Sequence, residues 1–159
     1  MASLPSLPAV LSPALSDREA ITDAIHRFPA SPDTNDRALF ESAFTRTATF
    51  EINGAVSEGL PALLTNCYSP LSRLDTTHFL TNVRVNIAGD NTTAAATAAA
   101  LSQHYKGGKG MEAGQPALLV GSLYYVEFVK EEDELWRMER FRMKTTWSDG
   151  DWGIINGPE

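Results

Sequence analysis

Apolar residues recur at helical spacing in the first half of the chain. Ser16 and Glu19 form a capping-box pair, and the apolar stripe that follows predicts a helix: Ala20, Ile21, Ala24, Ile25 and Phe28. Pro29 and Pro32 are expected to end this helix, because proline lacks the N–H group that continues one. Asp33 is therefore expected to lie in irregular backbone.

Two shorter helices and a strand are predicted next. Asp36 is placed to cap the second helix, whose apolar stripe contains Leu39, Phe40, Ala43 and Phe44. A third helix is predicted from Gly59 until Pro70 ends it. Between these helices, residues 47–53 alternate in polarity as a short strand, and Asn53-Gly54 is a strong turn signal.

The second half of the chain changes to the two-residue alternation of β-strands. Strands are predicted over residues 77–87, 92–105, 117–130 and 135–147. A glycine-rich loop at 107–114 is compatible with a lid and equally with a simple mobile connection. Helices followed by a long antiparallel meander indicate an α+β fold.

The alanine run at 94–100 has two interpretations. Alanine is the best helix former, which favours a helix. The run also follows the turn residues Gly89-Asp90-Asn91 and fits the strand meander, so we predict a strand. Its small side chains would leave volume above the sheet, which is one way to build a pocket.

The third long strand is apolar on both faces. Leu119, Leu123 and Tyr125 share one face, while Leu118, Val120, Tyr124, Val126 and Phe128 share the other. A sheet face that meets water normally carries polar residues at alternate positions. Because the helices suffice to cover only one side, we expect a second copy to cover the other, giving a homodimer through the sheet.

Composition narrows the possible partners. The 159 residues are enough for one domain, predicted as an arm at 1–15, a body at 16–152 and a tail at 153–159. With respect to partners, the net charge of -7 argues against binding of a nucleic acid. No apolar run is long enough to span a membrane, so a membrane is not expected as a partner. The single Cys67 cannot form an internal disulfide, which suits a cytoplasmic location.

Several kinds of catalytic site lack their sequence signals. The three histidines are isolated and no cysteine pair exists, so no metal site is predicted. There is no Gly-x-Ser-x-Gly nucleophile motif, and Gly107-Gly108-Lys109-Gly110 lacks the spacing of a phosphate-binding loop. On the enzyme side this leaves acid/base chemistry without a cofactor.

Asp33 and His78 are the candidates for that chemistry. A carboxylate and an imidazole together can move a proton on a carbon acid. Asp33 could instead be a turn or cap residue, and a lone histidine at the start of a strand is more often a core residue. The residues themselves leave both interpretations open.

Two segments resemble the SnoaL-like division of the NTF2-like superfamily, which includes scytalone dehydratase and small polyketide cyclases. The first is Arg27-Phe28 followed by Asp33-Thr34-Asn35-Asp36, and the second is Thr77-His78-Phe79 followed by Val83-Arg84-Val85. Leu135-Trp136-Arg137-Met138 is similar to the family's final strand. The resemblance extends over about residues 16–151 and implies a cone-shaped barrel with N-terminal helices on a curved sheet.

The resemblance also implies an active site. Asp33 and His78 would meet inside the barrel, and a second catalytic group on the next strand would be Ser102, Gln103 or His104. Ser102 and His104 share one face by alternation, which makes His104 the possible catalytic partner. The family's usual tyrosine before the aspartate is Phe28 here, so one hydroxyl donor is missing and a strictly scytalone-type mechanism is in doubt.

We therefore hypothesise that His78 moves a proton next to a carbonyl while Asp33 orients its ring. Tyr105 and Tyr125 are candidate hydroxyl donors, and Ser102 is a further contact. Apolar walls are predicted from five residues: Phe28, Phe40, Leu64, Phe79 and Trp136. They suit a polyketide- or terpenoid-like substrate in a dehydration or isomerisation. Cyclisation, or a non-catalytic module that binds a small molecule or only dimerises, remains an alternative.

Overall fold

The computed structural model describes residues 4–157, which contain one long helix, several short helical segments and six strands. The helices are α1 (Asp17–Thr34), α2 (Arg37–Ala43), α3 (Leu60–Leu63), a π-helical turn (Leu64–Tyr68), α4 (Ser69–Leu71) and α5 (Gly153–Asn156). The strands are β1 (Phe44–Ile52), β2 (Ala55–Glu58), β3 (Asp75–Ile87), β4 (Thr93–Tyr105), β5 (Leu118–Lys130) and β6 (Trp136–Gly150).

The strands form one mixed, curved sheet in the order β2-β1-β6-β5-β4-β3. Strands β3 to β6 are the predicted antiparallel meander, while β1 pairs in parallel with β6. Register shifts between Thr81 and Arg84 in β3, and between Gly121 and Ser122 in β5, mark irregularities of the kind that bends a sheet. The predicted α+β cone, with helices packed on a curved mixed sheet, is confirmed.

Helix α1 is longer than predicted, because neither proline ends it. It continues through Pro29 and Pro32 to Thr34. Pro32 cannot donate to the carbonyl of Phe28 four residues earlier, but the Ser31 hydroxyl donates to that carbonyl at 2.6 Å. Both prolines and Ser31 are buried, so tertiary packing offsets the roughly 3 kcal/mol that an interior proline costs a helix.

The end of α1 sets the position of Asp33. Asn35 adopts the left-handed conformation, with φ of 54°, and closes the helix. Asp33 therefore lies in the last helical turn and not in irregular backbone. The neighbouring Asp36 accepts a hydrogen bond from the Leu39 N–H at 2.9 Å, which confirms its predicted role as the cap of α2.

The alanine run is a strand, as predicted, but its alanines do not line a pocket. The inward alanines are buried in the main hydrophobic core: Ala94, Ala96, Ala98 and Ala100. In the register of β4 with β5, Ala94 stands beside Phe128 and Ala98 beside Tyr124. Small residues on one strand thus accommodate large neighbours on the next, and the space predicted there is filled.

The outer sheet face carries exposed apolar side chains. Phe79, Leu101, Gly121 and Trp147 lie directly opposite one another across four neighbouring strands. A Cβ atom at Gly121 would lie 2.3 Å from the Trp147 ring, so glycine is needed where this indole covers β5. Leu123 and Tyr125 extend the exposed apolar surface along the same strand.

The chain ends differ in structure. Residues 4–15 form no helix or strand, and the Ser6 hydroxyl donates to Asp36. At the other end, α5 packs Ile154 against Leu118 and Val120 of β5. The predicted arm at 1–15 and tail at 153–159 also include residues 1–3 and 158–159, which lie outside the described residues. No helix within residues 4–157 combines the length and apolar character needed to cross a membrane.

Candidate active site

A cavity of about 220 Å³ lies inside the cone, toward the end of the sheet where β4 carries polar residues. One part of its wall is apolar: Phe28, Phe50, Ile52, Leu71, Val120 and Met143. Another part carries groups that can donate or accept hydrogen bonds: His78, Ser102, His104, Ser122, Tyr124 and Thr145. The site therefore combines a hydrophobic surface with a concentrated set of polar groups, as small-molecule sites commonly do.

Asp33 and His78 meet at this cavity, as the sequence predicted. The Asp33 Oδ1 atom lies 2.7 Å from the His78 Nδ1 atom. The same carboxylate accepts the His78 backbone N–H at 2.8 Å and the Thr76 hydroxyl at 2.6 Å. Burial alone would raise the pKa of Asp33, but the interactions with His78 and Thr76 outweigh it and lower the pKa, so the group is a carboxylate at neutral pH.

The carboxylate fixes the state of the His78 ring. An ionised carboxylate can only accept hydrogen bonds, so Nδ1 of His78 must carry the proton. In the neutral ring Nε2 is then unprotonated, which makes it the atom available as a base. His78 lines the cavity, whereas Asp33 stands behind it in the last turn of α1.

His104 is held in the same way by a different acceptor. Its Nδ1 atom lies 3.1 Å from the main-chain carbonyl oxygen of Leu118, which cannot donate. Burial lowers the pKa of His104, so its ring is neutral with Nε2 unprotonated. The rings of His78 and His104 are nearly perpendicular, with centroids 5.4 Å apart. Two imidazoles with free Nε2 atoms thus occupy neighbouring positions in the cavity wall.

The inward face of β4 follows the predicted alternation. Ser102 and His104 are both buried and both line the cavity, while the Gln103 side chain between them contacts the Leu118 carbonyl. Phe28 also reaches the cavity, with its ring edge-to-face against Phe50 at a centroid distance of 5.2 Å. Four of the residues predicted for the site therefore line it: Phe28, His78, Ser102 and His104.

Three predicted wall residues belong to the core and do not line the cavity. Phe40 is fully buried among aromatic rings, and Leu64 packs against the same cluster. The Trp136 indole N–H donates to Asp17 at 2.8 Å, near the start of α1. Apolar character identifies residues that must be buried, but it does not separate a packed core from a cavity wall.

Three further predicted residues do not line the cavity because successive residues of a strand point to opposite faces. Phe79 follows His78 and Tyr105 follows His104, so each has the opposite orientation to the histidine before it. Tyr125 is 41% exposed on the outer sheet face, whereas Tyr124 beside it is buried and lines the cavity. Tyr124, and neither Tyr105 nor Tyr125, is therefore the tyrosine that lines the cavity.

Other lining residues come from segments that sequence reasoning gave no role. The π-helical turn contributes Asn66 and Cys67, and the C-terminal segment contributes Trp152, Ile155 and Asn156. Burial raises the pKa of the Cys67 thiol to about 12, so it stays protonated and is a poor nucleophile. Strand alternation could have identified Tyr124 and Ser122, but no local signal identifies the C-terminal residues.

The glycine-rich loop is anchored on one side. Asp75 accepts hydrogen bonds from the Gly108 N–H at 3.0 Å and the Gly110 N–H at 2.8 Å. These bonds lower the pKa of Asp75 and hold the first half of the loop against the start of β3. Within residues 4–157, no group of three His, Cys, Asp or Glu side chains is arranged to hold a metal ion.

Comparisons with known proteins identify the family of this chain. A SnoaL-like domain model matches residues 13–142. The terrestric acid biosynthesis cluster protein E of Penicillium crustosum is 49% identical over 152 residues, covering 95% of this chain and 97% of that protein.

Solved structures share the fold at low sequence identity. A hexachlorocyclohexane dehydrochlorinase from Novosphingobium barchaimii has a TM-score of 0.68 at 18% identity, covering 89% of this chain and 94% of its own. An NTF2-like superfamily protein from Salmonella enterica has a TM-score of 0.69 at 17% identity, and the match covers 89% of this chain and 97% of that protein. The chain therefore belongs to the SnoaL-like domain family.

Proposed function

We propose that this protein is a cofactor-independent acid/base enzyme that acts on an apolar, polyketide- or terpenoid-like small molecule as a dehydratase or isomerase. The observation that carries the proposal is the 2.7 Å contact between Asp33 Oδ1 and His78 Nδ1 beside a largely apolar cavity. A contact of this kind leaves Nε2 of His78 as a base directed to a bound molecule.

The chemistry follows from the two rings and the carboxylate. His78 removes a proton from a carbon next to a carbonyl, and the Asp33 carboxylate stabilises the imidazolium that forms. The same imidazolium then returns the proton, either to a leaving hydroxyl or to another carbon. Positioned proton transfer of this type accelerates a reaction by about 10²–10⁴-fold. His104, whose Nε2 accepts hydrogen bonds, orients the hydroxyl that leaves.

Dehydration and isomerisation rank before cyclisation because a single acid/base pair suffices for either. Cyclisation needs the same proton transfers together with a cavity that folds the substrate. A non-catalytic binding module is the alternative from another class, and the NTF2-like fold by itself does not exclude it. The close Asp33–His78 pair beside open cavity space supports the enzymatic alternative.

A place in secondary metabolism is supported by the relative in Penicillium crustosum, whose name assigns it to a terrestric acid biosynthesis cluster. The two chains are 49% identical and match over almost their full lengths. We therefore propose that the substrate is a small secondary metabolite or a precursor of one. The reaction and the substrate of this chain are matters for experiment.

The proposal is tested with a metabolite extract from a Penicillium crustosum strain that lacks this relative. Purified protein is added in D₂O, and mass spectrometry follows every compound whose amount falls. A product lighter by one water indicates dehydration, whereas an unchanged composition with one deuterium incorporated indicates isomerisation or cyclisation. We expect His78→Ala to lose conversion by roughly 10²-fold or more.

A matched control is His26→Gln, which changes a histidine on α1 that does not line the cavity. This variant should convert the same compound at the wild-type rate. A His78→Ala protein that folds normally and stays within about twofold of wild type would refute the proposed base.

A further inference from the structure

Three hydroxyl groups in the cavity have no protein partner. Within residues 4–157, the side chains of Ser102, Ser122 and Tyr124 make no hydrogen bond, although all three residues are buried. In the same part of the chain, Arg27 Nε and Thr45 Oγ1 are the polar side-chain atoms sealed from solvent without a hydrogen bond, and Arg27 Nε lies 3.1 Å from Asp23 Oδ2 in an ion pair. The three cavity hydroxyls are therefore open to the cavity itself and available to a bound molecule.

The strand register arranges these three hydroxyls in a row, called the hydroxyl track here, that begins next to His78, the proposed base. His78 stands directly opposite Ser102 in the pairing of β3 with β4. Ser122 stands opposite Ala100, two residues further along β4, and Tyr124 opposite Ala98. Successive inward positions on a strand are about 7 Å apart, so the track spans the length of a small ring system.

Tyr124 is the strongest donor on this track. The residue is only 5% exposed, and its ring packs edge-to-face on Phe141 at 4.8 Å, which fixes its direction. Burial first, and the charge of Asp33 second, raise the pKa of Tyr124, so its hydroxyl remains protonated at neutral pH. A protonated hydroxyl in a dry site, with no protein acceptor, is satisfied by an acceptor oxygen on a ligand.

We propose that Tyr124, supported by Ser122, binds the carbonyl oxygen of the substrate and stabilises the enolate that forms when His78 removes the neighbouring proton. This inference rests on the proposed function and deepens it, because it defines the substrate as a carbonyl compound with a removable α-proton. Phe28 carries no hydroxyl, whereas Tyr124 of β5 presents a phenol group to the same cavity.

The step balances without any co-reactant. His78 Nε2 takes the α-proton, the C–H electron pair becomes the carbon–carbon double bond of the enolate, and the carbonyl π pair moves to oxygen. The Tyr124 hydroxyl donates to that oxyanion. The electron pair on the enolate oxygen then re-forms the carbonyl, and the enolate double bond shifts to the α and β carbons and expels the β-hydroxyl. The hydroxyl leaves as water with the proton carried by His78.

The test uses 4-nitrophenol, whose phenolate imitates the flat oxyanion of an enolate. The pH is set so that the free phenol is mostly protonated, and absorbance reports both binding and ionisation. In wild-type protein we expect the phenolate band to appear, because the proton passes to His78. Tyr124→Phe should bind roughly 10- to 100-fold more weakly, the value of a hydrogen bond to a charged acceptor.

The matched control is Tyr125→Phe, which removes a hydroxyl from the next residue on the outer sheet face and should bind like wild type. Ser122→Ala should weaken binding less than Tyr124→Phe. His78→Ala should still bind the phenol but lose the phenolate band.

The outcomes separate this inference from the proposed function. Unchanged affinity in Tyr124→Phe, with the band lost in His78→Ala, would overturn the oxygen site and keep the base. Weak binding in Tyr124→Phe with the band kept in His78→Ala would support the oxygen site and refute the base. Wild-type protein that does not bind 4-nitrophenol would overturn the oxygen site.

Discussion

The tautomer of each cavity histidine is set by the acceptor that its Nδ1 atom meets. For His78 that acceptor is the Asp33 carboxylate at 2.7 Å, and for His104 it is the Leu118 carbonyl at 3.1 Å. Both arrangements leave Nε2 unprotonated in the neutral ring. At the scale of single residues, the position of the proton on each ring can therefore be tested without a known substrate.

Replacing Asp33 by leucine tests that statement. Leucine has the same branched shape but accepts no hydrogen bond, so the proton of His78 should shift in part from Nδ1 to Nε2. Nitrogen-15 NMR of labelled histidines measures the two tautomers directly. His104 is an internal control in the same spectrum, because its acceptor is unchanged. A His78 signal that is identical in both proteins would contradict the pairing with Asp33.

The tyrosine pair at 124–125 shows what the sequence could predict at this scale and what it could not. Strand alternation separates Tyr124 from Tyr125, but it does not say which face is the inner one. His78 and His104 come with motif context that indicates their direction, whereas β5 is apolar on both faces. The contact between Asp33 and His78 was therefore predictable, whereas the tyrosine that lines the cavity is Tyr124 and not the predicted Tyr125.

At the scale of elements, helix α1 depends on how its prolines are accommodated. Helix propensity predicted that Pro29 and Pro32 end the helix. This was wrong because the segment is buried and the Ser31 hydroxyl replaces the N–H group that Pro32 cannot donate to the Phe28 carbonyl. The helix caps, by contrast, were predictable since each depends on side chains within three residues. The helix caps could thus be predicted from neighbouring residues, whereas the burial that offsets the cost of the prolines is visible only in the tertiary structure.

Ser31→Ala tests this compensation. The change leaves the buried Phe28 carbonyl without the hydroxyl donor and should destabilise the fold by about 1–3 kcal/mol. Thr22→Ala is the matched control, because Thr22 donates to the Arg18 carbonyl in a helical turn that contains no proline. It should change the free energy of unfolding by less than about 0.5 kcal/mol. Urea denaturation compares the two, and equal effects would contradict the role of Ser31.

Asp17 joins α1 to the far end of the sheet and makes stability depend on acid. Hydrogen bonds, first from the Trp136 indole and then from Asn91, lower the pKa of Asp17 from 3.8 to about 2. Because the folded-state pKa is below the unfolded one, this stabilisation is complete above about pH 4 and is lost as the pH falls toward 2. Asp17→Asn should therefore be less stable than wild type at neutral pH, with the difference shrinking below pH 4.

Thermal unfolding at pH 7 and pH 2.5 measures that difference. The matched variant is Asp149→Asn, which changes an exposed aspartate on β6 and should leave the pH dependence unchanged. A difference between Asp17→Asn and wild type that stays constant with pH would contradict the assignment.

At the scale of the whole molecule, the outer sheet face is the feature that the monomer leaves unexplained. Exposed apolar side chains cross four strands there, including Phe79, Leu101 and Trp147. Contiguous apolar surface of this kind marks interaction sites. We propose that a second copy covers it and that the protein is a homodimer through the sheet.

Leu123→Lys should weaken this dimer, because it places a charge within the covered surface. Met111→Lys is the matched control, since Met111 is exposed in the glycine-rich loop. Sedimentation at micromolar concentration should give a dimer for wild type and Met111→Lys and a larger monomer fraction for Leu123→Lys. A wild-type monomer would contradict the proposal.

The most direct test of the central claim is a double-mutant cycle on Asp33 and His78, the proposed catalytic pair. Conversion of the metabolite found in the extract is measured for Asp33→Leu, His78→Ala and the double variant. If Asp33 acts through His78, the double variant should be no slower than His78→Ala alone, because residues that act as a unit are not additive. If the rate losses of the two single variants multiply in the double variant, the claim that Asp33 acts through His78 is contradicted.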